Sequence, residues 1–451
     1  MRIVIVGGGP GGYEAALVAA ELHAEVTLVD RSGLGGACVL WDCVPSKTLC
    51  SAAEVATWLE SAQALGLTSE AVRADVDIRA LFDRILSLAS AQSRDVEKRI
   101  DQAGVRIVRG SGAFADAHTI EVEGERIPAD AILIATGSSP RVLPAAPADG
   151  RRILNARQVY DLDEVPEHLV VVGSGATGAE FTHAFNRLGS RVTLISSREH
   201  VLPSEDVDAA RVLEEVFERR GVEIVKGARA ASATPTATGA EVTLEGGRVI
   251  AGSHALITVG QVPNSADLRL EVAGVETGPG GRIPVDGVSR TNVRHVYAAG
   301  DVTGGAMLAS SAAIQGRIAM WHALGQAVQP FRPDELAATV FTDPEIATAG
   351  IGEAAARERG MDAEAIMLPF ATNARAKMVR LGDGFVKLIA SKHSGIVLGG
   401  TIVAPHASDL ILPVSIAVHA RLQVAQLAQS FSIYPSFAGS IQEAARRLMG
   451  R

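Results

Sequence analysis

Only three cysteines occur in the 451 residues, too few for the disulfide framework of a secreted scaffold. Aromatic residues are also scarce at 4%, so the core is expected to be aliphatic. Positive charge is not in excess: Lys+Arg number 42 against 51 Asp+Glu, a net charge of −9. That balance argues against nucleic acid or an anionic membrane as the principal partner. No stretch approaches the roughly 18 apolar residues of a transmembrane helix, so no membrane span is expected. The first residues, MRIVIVGGG, lack an apolar segment leading to a cleavage site and enter a strand and turn at once. No metal site is expected. With 47% hydrophobic and 21% charged residues a disordered chain is excluded. What remains is a large cytoplasmic α/β protein of about three domains.

Glycine is abundant, and its placement repeats. Arg2–Val6 runs into Gly7-x-Gly9-x-x-Gly12 and a helical pattern from Tyr13 to Leu22; Leu169–Val172 runs into Gly173-x-Gly175-x-x-Gly178 and a helical pattern to Leu188. In such a motif the first glycine permits a tight turn, the second lets a pyrophosphate approach the backbone, and the third lets helix and strand pack closely. The phosphate then rests on free N–H groups at the helix N-terminus. Each copy is followed by a second strand-like run, Val26–Val29 and Val192–Ile195, the context that separates a dinucleotide fold from a chance glycine cluster. Further strands are expected at Ala131–Ala135, His254–Thr258 and Val296–Ala299. Beyond about Arg332 the texture changes to a hairpin, Gly384–Ile389 with Ile396–Gly399, and a long helix over roughly Ser408–Arg421.

An acidic residue ending the second strand of a dinucleotide fold holds ribose hydroxyls. Asp30 stands there in the first unit, which predicts an adenosine ribose without a 2′-phosphate. In the second unit the position is Ser196, followed by Ser197 and Arg198. Two hydroxyls and a guanidinium suit a 2′-phosphate, and hence NADPH; a solvated Arg198 with either cofactor accepted is the alternative.

Gly35-Gly36-Ala37-Cys38-Val39-Leu40-Trp41-Asp42-Cys43-Val44-Pro45-Ser46-Lys47 follows the first unit. Cysteines five positions apart at a helix start can form a strained, reducible disulfide, with the helix N-terminus favouring the thiolate; two buried structural thiols is the bland alternative. Cys50, two helical turns on, reads as a plain buried thiol. Cys-x4-Cys-x-Pro-Ser-Lys after an N-terminal GxGxxG resembles the flavoprotein disulfide reductases. The resemblance runs on through Ala135-Thr136-Gly137, the second glycine motif with Glu180, Gly300-Asp301, Phe341-Thr342-Asp343-Pro344-Glu345 and Gly384-Phe385-Val386-Lys387.

This resemblance implies two Rossmann-like dinucleotide-binding domains and a C-terminal α+β dimerisation domain in a homodimer. The boundaries expected are 1–147 and 266–331 for FAD, 148–265 for NAD(P)H and 332–451 for dimerisation. It places FAD on Gly7, Gly9, Gly12, Asp30, Lys47, Gly112, Thr136, Gly137, Asp301, Met307, Leu308 and Ala309. NADPH or NADH falls to Gly173, Gly175, Gly178, Ser196, Ser197, Arg198 and Gly260. The catalytic set it implies is Cys38, Cys43, Lys47 and Glu180, with Lys47 near the flavin and paired with Glu180.

One departure redirects the expected function. Disulfide reductases of this family use a C-terminal His-Pro, with a Glu five residues after the His, as the acid/base that disulfide exchange needs. Here those positions are Tyr434 and Gly439, and Ser310 replaces a further usual His. Tyrosine, with a reference pKa of about 10, is a poor proton shuttle near neutrality. The chain therefore resembles the actinobacterial NAD(P)H:quinone dehydrogenases within the family, whose acceptor takes electrons at the flavin without that base. The alternative is a thiol–disulfide reductase using Cys38 and Cys43, because both cysteines are kept.

Overall fold

The computed structural model describes residues 1–67 and 75–450. They form two compact units, one of Met1–Thr48, Ala80–Arg141 and Gly260–Pro333, the other of Leu49–Arg79, Val142–Val259 and Asp334–Arg451.

In the first unit Arg2–Val6 is a strand buried from Ile3 onward. A β-branched run buried on both faces suits a parallel sheet covered on either side. It pairs in parallel with Glu25–Asp30 and with Ala131–Ile134, and Arg106–Arg109 and Val296–Ala298 complete the five strands. On one face Ile3, Ile5, Leu28 and Leu133 cluster with Ala15 and Ala19 of helix Pro10–Glu21 and with Ala319 and Met320 of helix Ala309–Ala323. These two helices touch backbone to backbone: a Cβ on Gly316 would lie 2.0 Å from the Gly11 carbonyl oxygen. On the other face Val4, Val6, Ile132 and Ile134 pack on Phe114 and Ile120 of an antiparallel sheet, Gly112–Asp116, Thr119–Val122 and Glu125–Pro128. Each such fully buried aliphatic side chain contributes about 1.5–3 kcal/mol.

The second unit repeats this design. His168–Val172 pairs in parallel with Arg191–Ile195 and His254–Ile257, and Glu223–Val225 and Ile153–Asn155 complete another five-stranded parallel sheet. Even the register corresponds: Ile5 faces Leu28 and Leu133 in one sheet, and Val171 faces Leu194 and Leu256 in the other.

The same unit carries a five-stranded antiparallel sheet, in order Ala337–Val340, Glu345–Gly350, Val397–Ala404, Phe385–Ser391 and Ala363–Pro369. It contains the expected hairpin. Its core gathers Phe370, Leu388, Ile402, Val414 and Ala444. The long helix expected over Ser408–Arg421 is instead two, Ala407–Leu410 and Leu412–His419, with Pro413 in the first turn of the second. Proline lacks the N–H that a continuous helix would use there. Lys387, on a central strand, is buried and donates to Asp206 at 2.8 Å and to Asp208 at 2.6 Å. Burial alone would push its ammonium pKa down, but the two carboxylates outweigh that and hold it above the ordinary lysine value. The bonds tie the antiparallel sheet to helix Val207–Arg219, whose N-cap is Asp206.

Candidate active site

The two glycine motifs fold into the same cradle. Gly9 and Gly175 are both N-caps, with φ/ψ of −70°/−176° and −71°/−176°, and neither helix start has a side-chain cap. A Cβ on Gly12 would lie 1.8 Å from the Gly7 carbonyl oxygen, and one on Gly178 would lie 1.9 Å from that of Gly173. Above Gly9 and Gly175 there is no atom within 4 Å of such a Cβ. Each cradle is thus closed by packing on the inside and open on the outside, with uncapped N–H groups facing out, the shape and polarity that a pyrophosphate requires.

In the first unit Asp30 ends its strand as expected and shapes the cradle. Its carboxylate accepts from Gly8 N at 2.8 Å, Ser32 N at 2.8 Å and Gly33 N at 2.6 Å. The cysteine segment lies against the same cradle. Gly35 N donates to Gly8 O at 2.8 Å, and a Cβ on Gly36 would press on Gly9 Cα at 2.8 Å. Cys38 lies in the short helix Gly36–Leu40, Cys43 is the first residue of helix Cys43–Ser61, and both are half-buried thiols. The hydrogen bond between them, then burial, push Cys38 far above the ordinary thiol range, with Lys47 opposing. Cys38 therefore keeps its proton near neutrality, beside Cys43 at the start of the next helix. Lys47 is half-buried one turn further on, 3.3 Å from Ser46 Oγ.

Three residues outside every sequence motif complete this side. Asn264 clamps the Thr136-Gly137 turn by donating from Nδ2 to Thr136 O at 2.9 Å while its own carbonyl accepts from Thr136 Oγ1 at 2.7 Å. Gln315 accepts from Gly300 N at 2.8 Å, fixing the turn that carries Asp301. Ser138 donates to Asp301 Oδ2 at 2.7 Å. Burial raises the Asp301 carboxyl above the ordinary value, and the Ser138 bond offsets only part of that. Leu308 is the N-cap of helix Ala309–Ala323, again with no side-chain cap, and Met307 beside it is exposed. Gly112 is tightly packed: a Cβ there would press on Ile120, Val29 and Val6. Gly260 and Gly137 both open onto free space.

In the second cradle Ser196 is fully buried and turned inward. Its hydroxyl accepts from Ser174 Oγ at 2.8 Å and from Arg198 N at 3.2 Å. Ser197 and Arg198 are exposed at the strand end. Glu180, in helix Ala176–Arg187 of the same unit, is 4% exposed and accepts from Phe341 N at 3.0 Å. Cys50, a buried thiol as expected, lies 3.9 Å from the Glu180 carbonyl oxygen. Tyr434 is 86% exposed. Gly439 begins helix Gly439–Met449.

Residues 1–316 match the family model for pyridine nucleotide-disulphide oxidoreductases, and residues 336–445 match the dimerisation domain of the same family. The chain belongs to this family. With it the chain shares FAD and NAD(P)H as cofactors, which the two cradles fit. It is 51% identical to the NAD(P)H dehydrogenase (quinone) of Mycobacterium tuberculosis, over 99% of this chain and 94% of that one. It is 34% identical to the dihydrolipoyl dehydrogenase of Bacillus subtilis, over 100% and 99%. The crystal structure of LpdA from M. tuberculosis superposes with a TM-score of 0.95 at 50% identity, covering 100% of both chains. Among the described residues no helix is long and apolar enough to cross a membrane.

Proposed function

We propose that this oxidoreductase passes electrons from NAD(P)H to a quinone or similar diffusible acceptor, NAD(P)H + H⁺ + Q → NAD(P)⁺ + QH₂. The observation that carries the reading is the tyrosine at 434 with glycine at 439, where a disulfide reductase needs its histidine and glutamate. The relative at 51% identity, which bears the name of this activity, supports it. Bound FAD supplies a two-electron carrier between the nicotinamide and the acceptor. The chain's own part is to hold and orient: Gly7, Gly9, Gly12 and Asp30 take the adenosine and pyrophosphate, and Thr136, Gly137, Asp301 and Met307–Ala309 line the flavin side. Gly173, Gly175, Gly178, Ser197, Arg198 and Gly260 receive NAD(P)H, with Ser196 ordering the loop beneath them. Lys47 and Glu180 tune the charge near the flavin. The functional division follows 1–147 with 266–331, 148–265 and 332–451, in a cytoplasmic homodimer.

A thiol–disulfide reductase is the second reading, favoured by the two half-buried thiols of Cys38 and Cys43 on consecutive helices. Steady-state assays of wild type and Cys43→Ser with benzoquinone, lipoamide and glutathione disulfide separate the two. Quinone turnover within a few-fold of wild type in Cys43→Ser, and poor disulfide turnover throughout, is the expected result. Rapid lipoamide reduction by wild type, abolished in Cys43→Ser, would reverse the ranking. Tyr434→His with Gly439→Glu should raise disulfide reduction if the cysteines are otherwise competent, since general acid–base assistance contributes roughly 10²–10⁴-fold.

A further inference from the structure

Glu180, His183 and Asn186 recur every three residues on helix Ala176–Arg187, so they share one face. That face closes a ring of hydrogen bonds through two distant segments. Asn186 Nδ2 donates to Arg220 O at 3.2 Å. Arg220 then grips Asp343 twice, Nη1 to the carbonyl oxygen at 2.8 Å and Nη2 to Oδ2 at 2.6 Å. Two residues before Asp343, Phe341 N donates to Glu180 Oε1 at 3.0 Å, which returns to the starting helix. Thr342, buried between them, donates to Pro344 O at 2.7 Å and stiffens the turn.

We infer that Arg220 and Asp343 are positioning residues for Glu180: they hold the Phe341 amide against its carboxylate and so fix where that negative charge sits. The two-point grip matters because a guanidinium bound to both a carbonyl and a carboxylate sets the orientation of the turn as well as its distance. Arg220 stands in none of the family motifs and is 40 positions from Glu180, while Asp343 lies in the Phe341–Glu345 motif, far from Glu180 in sequence. His183, between Glu180 and Asn186 on that helix face, is buried. Burial depresses its pKa to about 4, so it is neutral near pH 7; the Asp343 carboxylate opposes the shift and the Arg220 and Arg187 charges add to it.

The inference rests on the reading of Glu180 as the residue that tunes charge near the flavin. Its test is stopped-flow reduction of the holoenzyme by NADPH, recorded with the visible flavin spectrum, for wild type, Glu180→Gln, Arg220→Met, Arg220→Lys, Asp343→Asn and the Glu180→Gln/Arg220→Met double variant. No acceptor takes part in this half-reaction, so its result is independent of the quinone assignment. Glu180→Gln and Arg220→Met should each slow flavin reduction roughly tenfold and perturb the same absorption band. The double variant should be no slower than the worse single, and Arg220→Lys should recover part of the loss. If Glu180→Gln is silent, the role of Glu180 falls and the positioning assignment with it. If Glu180→Gln slows reduction while Arg220→Met and Asp343→Asn do not, or if the two losses multiply in the double variant, only the positioning assignment falls. Should Arg220→Met not retain FAD, Asp343→Asn decides alone, because it preserves side-chain volume and the carbonyl bond to Arg220.

Discussion

Ser196 and Arg198 illustrate how much one side-chain direction changes at the scale of the residue. Ser196 stands where a ribose-binding acid is usual in a dinucleotide fold, and Arg198 follows two residues on. Ser196 is drawn inward because Ser174, the second residue of the glycine motif, donates to it at 2.8 Å. A hydroxyl used there is not presented to a nucleotide. Arg198 has its backbone held, with its N–H on Ser196 Oγ and its carbonyl accepting from Gly227 N at 3.1 Å, while the residue itself is exposed. An anchored backbone with an outward guanidinium is a good arrangement for a charge-assisted bond to a 2′-phosphate. Arg198→Ala should therefore raise KM for NADPH by about tenfold, with NADH changed far less, in steady-state assays with each cofactor. Equal effects on both would make Arg198 a surface charge.

At the scale of the element, the strand–glycine–helix turn separates two kinds of glycine by what surrounds them. Gly178 is walled in, since an added Cβ would strike the Gly173 carbonyl oxygen at 1.9 Å. Backbone cannot give way as a flexible side chain can, so Gly178→Ala should destabilise the protein by about 1–3 kcal/mol or more, outweighing the helix-propensity gain of about 1 kcal/mol. Gly175 is open, with nothing within 4 Å of a Cβ and φ in the ordinary negative range. Gly175→Ala should leave the thermal midpoint within a few degrees of wild type yet raise KM for NAD(P)H, because the methyl group stands where the pyrophosphate approaches. Thermal denaturation and nucleotide titration of the two variants check the contrast. A Gly175→Ala enzyme with unchanged nucleotide affinity would remove that cradle from the NAD(P)H site.

At the scale of the whole molecule, the C-terminal segment presents apolar surface that a lone chain leaves wet. Phe431 is fully exposed, and Ile433 and Tyr434 are 80% and 86% exposed, within the residues that match the family's dimerisation domain. Clustered large apolar side chains at a surface mark an interaction site. A second copy of this chain is the partner the family match supports, and sedimentation at micromolar concentration should give a dimer mass. Monomeric behaviour there would contradict it. Phe431→Asp with Ile433→Asp should shift the equilibrium toward monomer, since each places a charge where apolar contact is expected.

Local pattern determined the architecture. The aliphatic runs, the glycine spacing and the second strand after each motif are all relations over a few residues, and they were enough to place the central strands of both parallel sheets, both cradles and the C-terminal hairpin, though not the outer strands Arg106–Arg109, Ile153–Asn155 and Glu223–Val225. The cysteine pair was visible for the same reason, and its family resemblance named the cofactors. Long-range contacts decided the rest. Ser138 meets Asp301 across 163 positions, Asn264 clamps Thr136 across 128, and Phe341 reaches Glu180 across 161. The inward turn of Ser196 depends on Ser174, 22 residues earlier. Such partners are chosen by how packed elements bring side chains together, and a single polar residue in a turn carries no periodicity that would announce it. Hydrophobic burial is collective and leaves a repeating trace along the chain, whereas a hydrogen bond joins two atoms and leaves none.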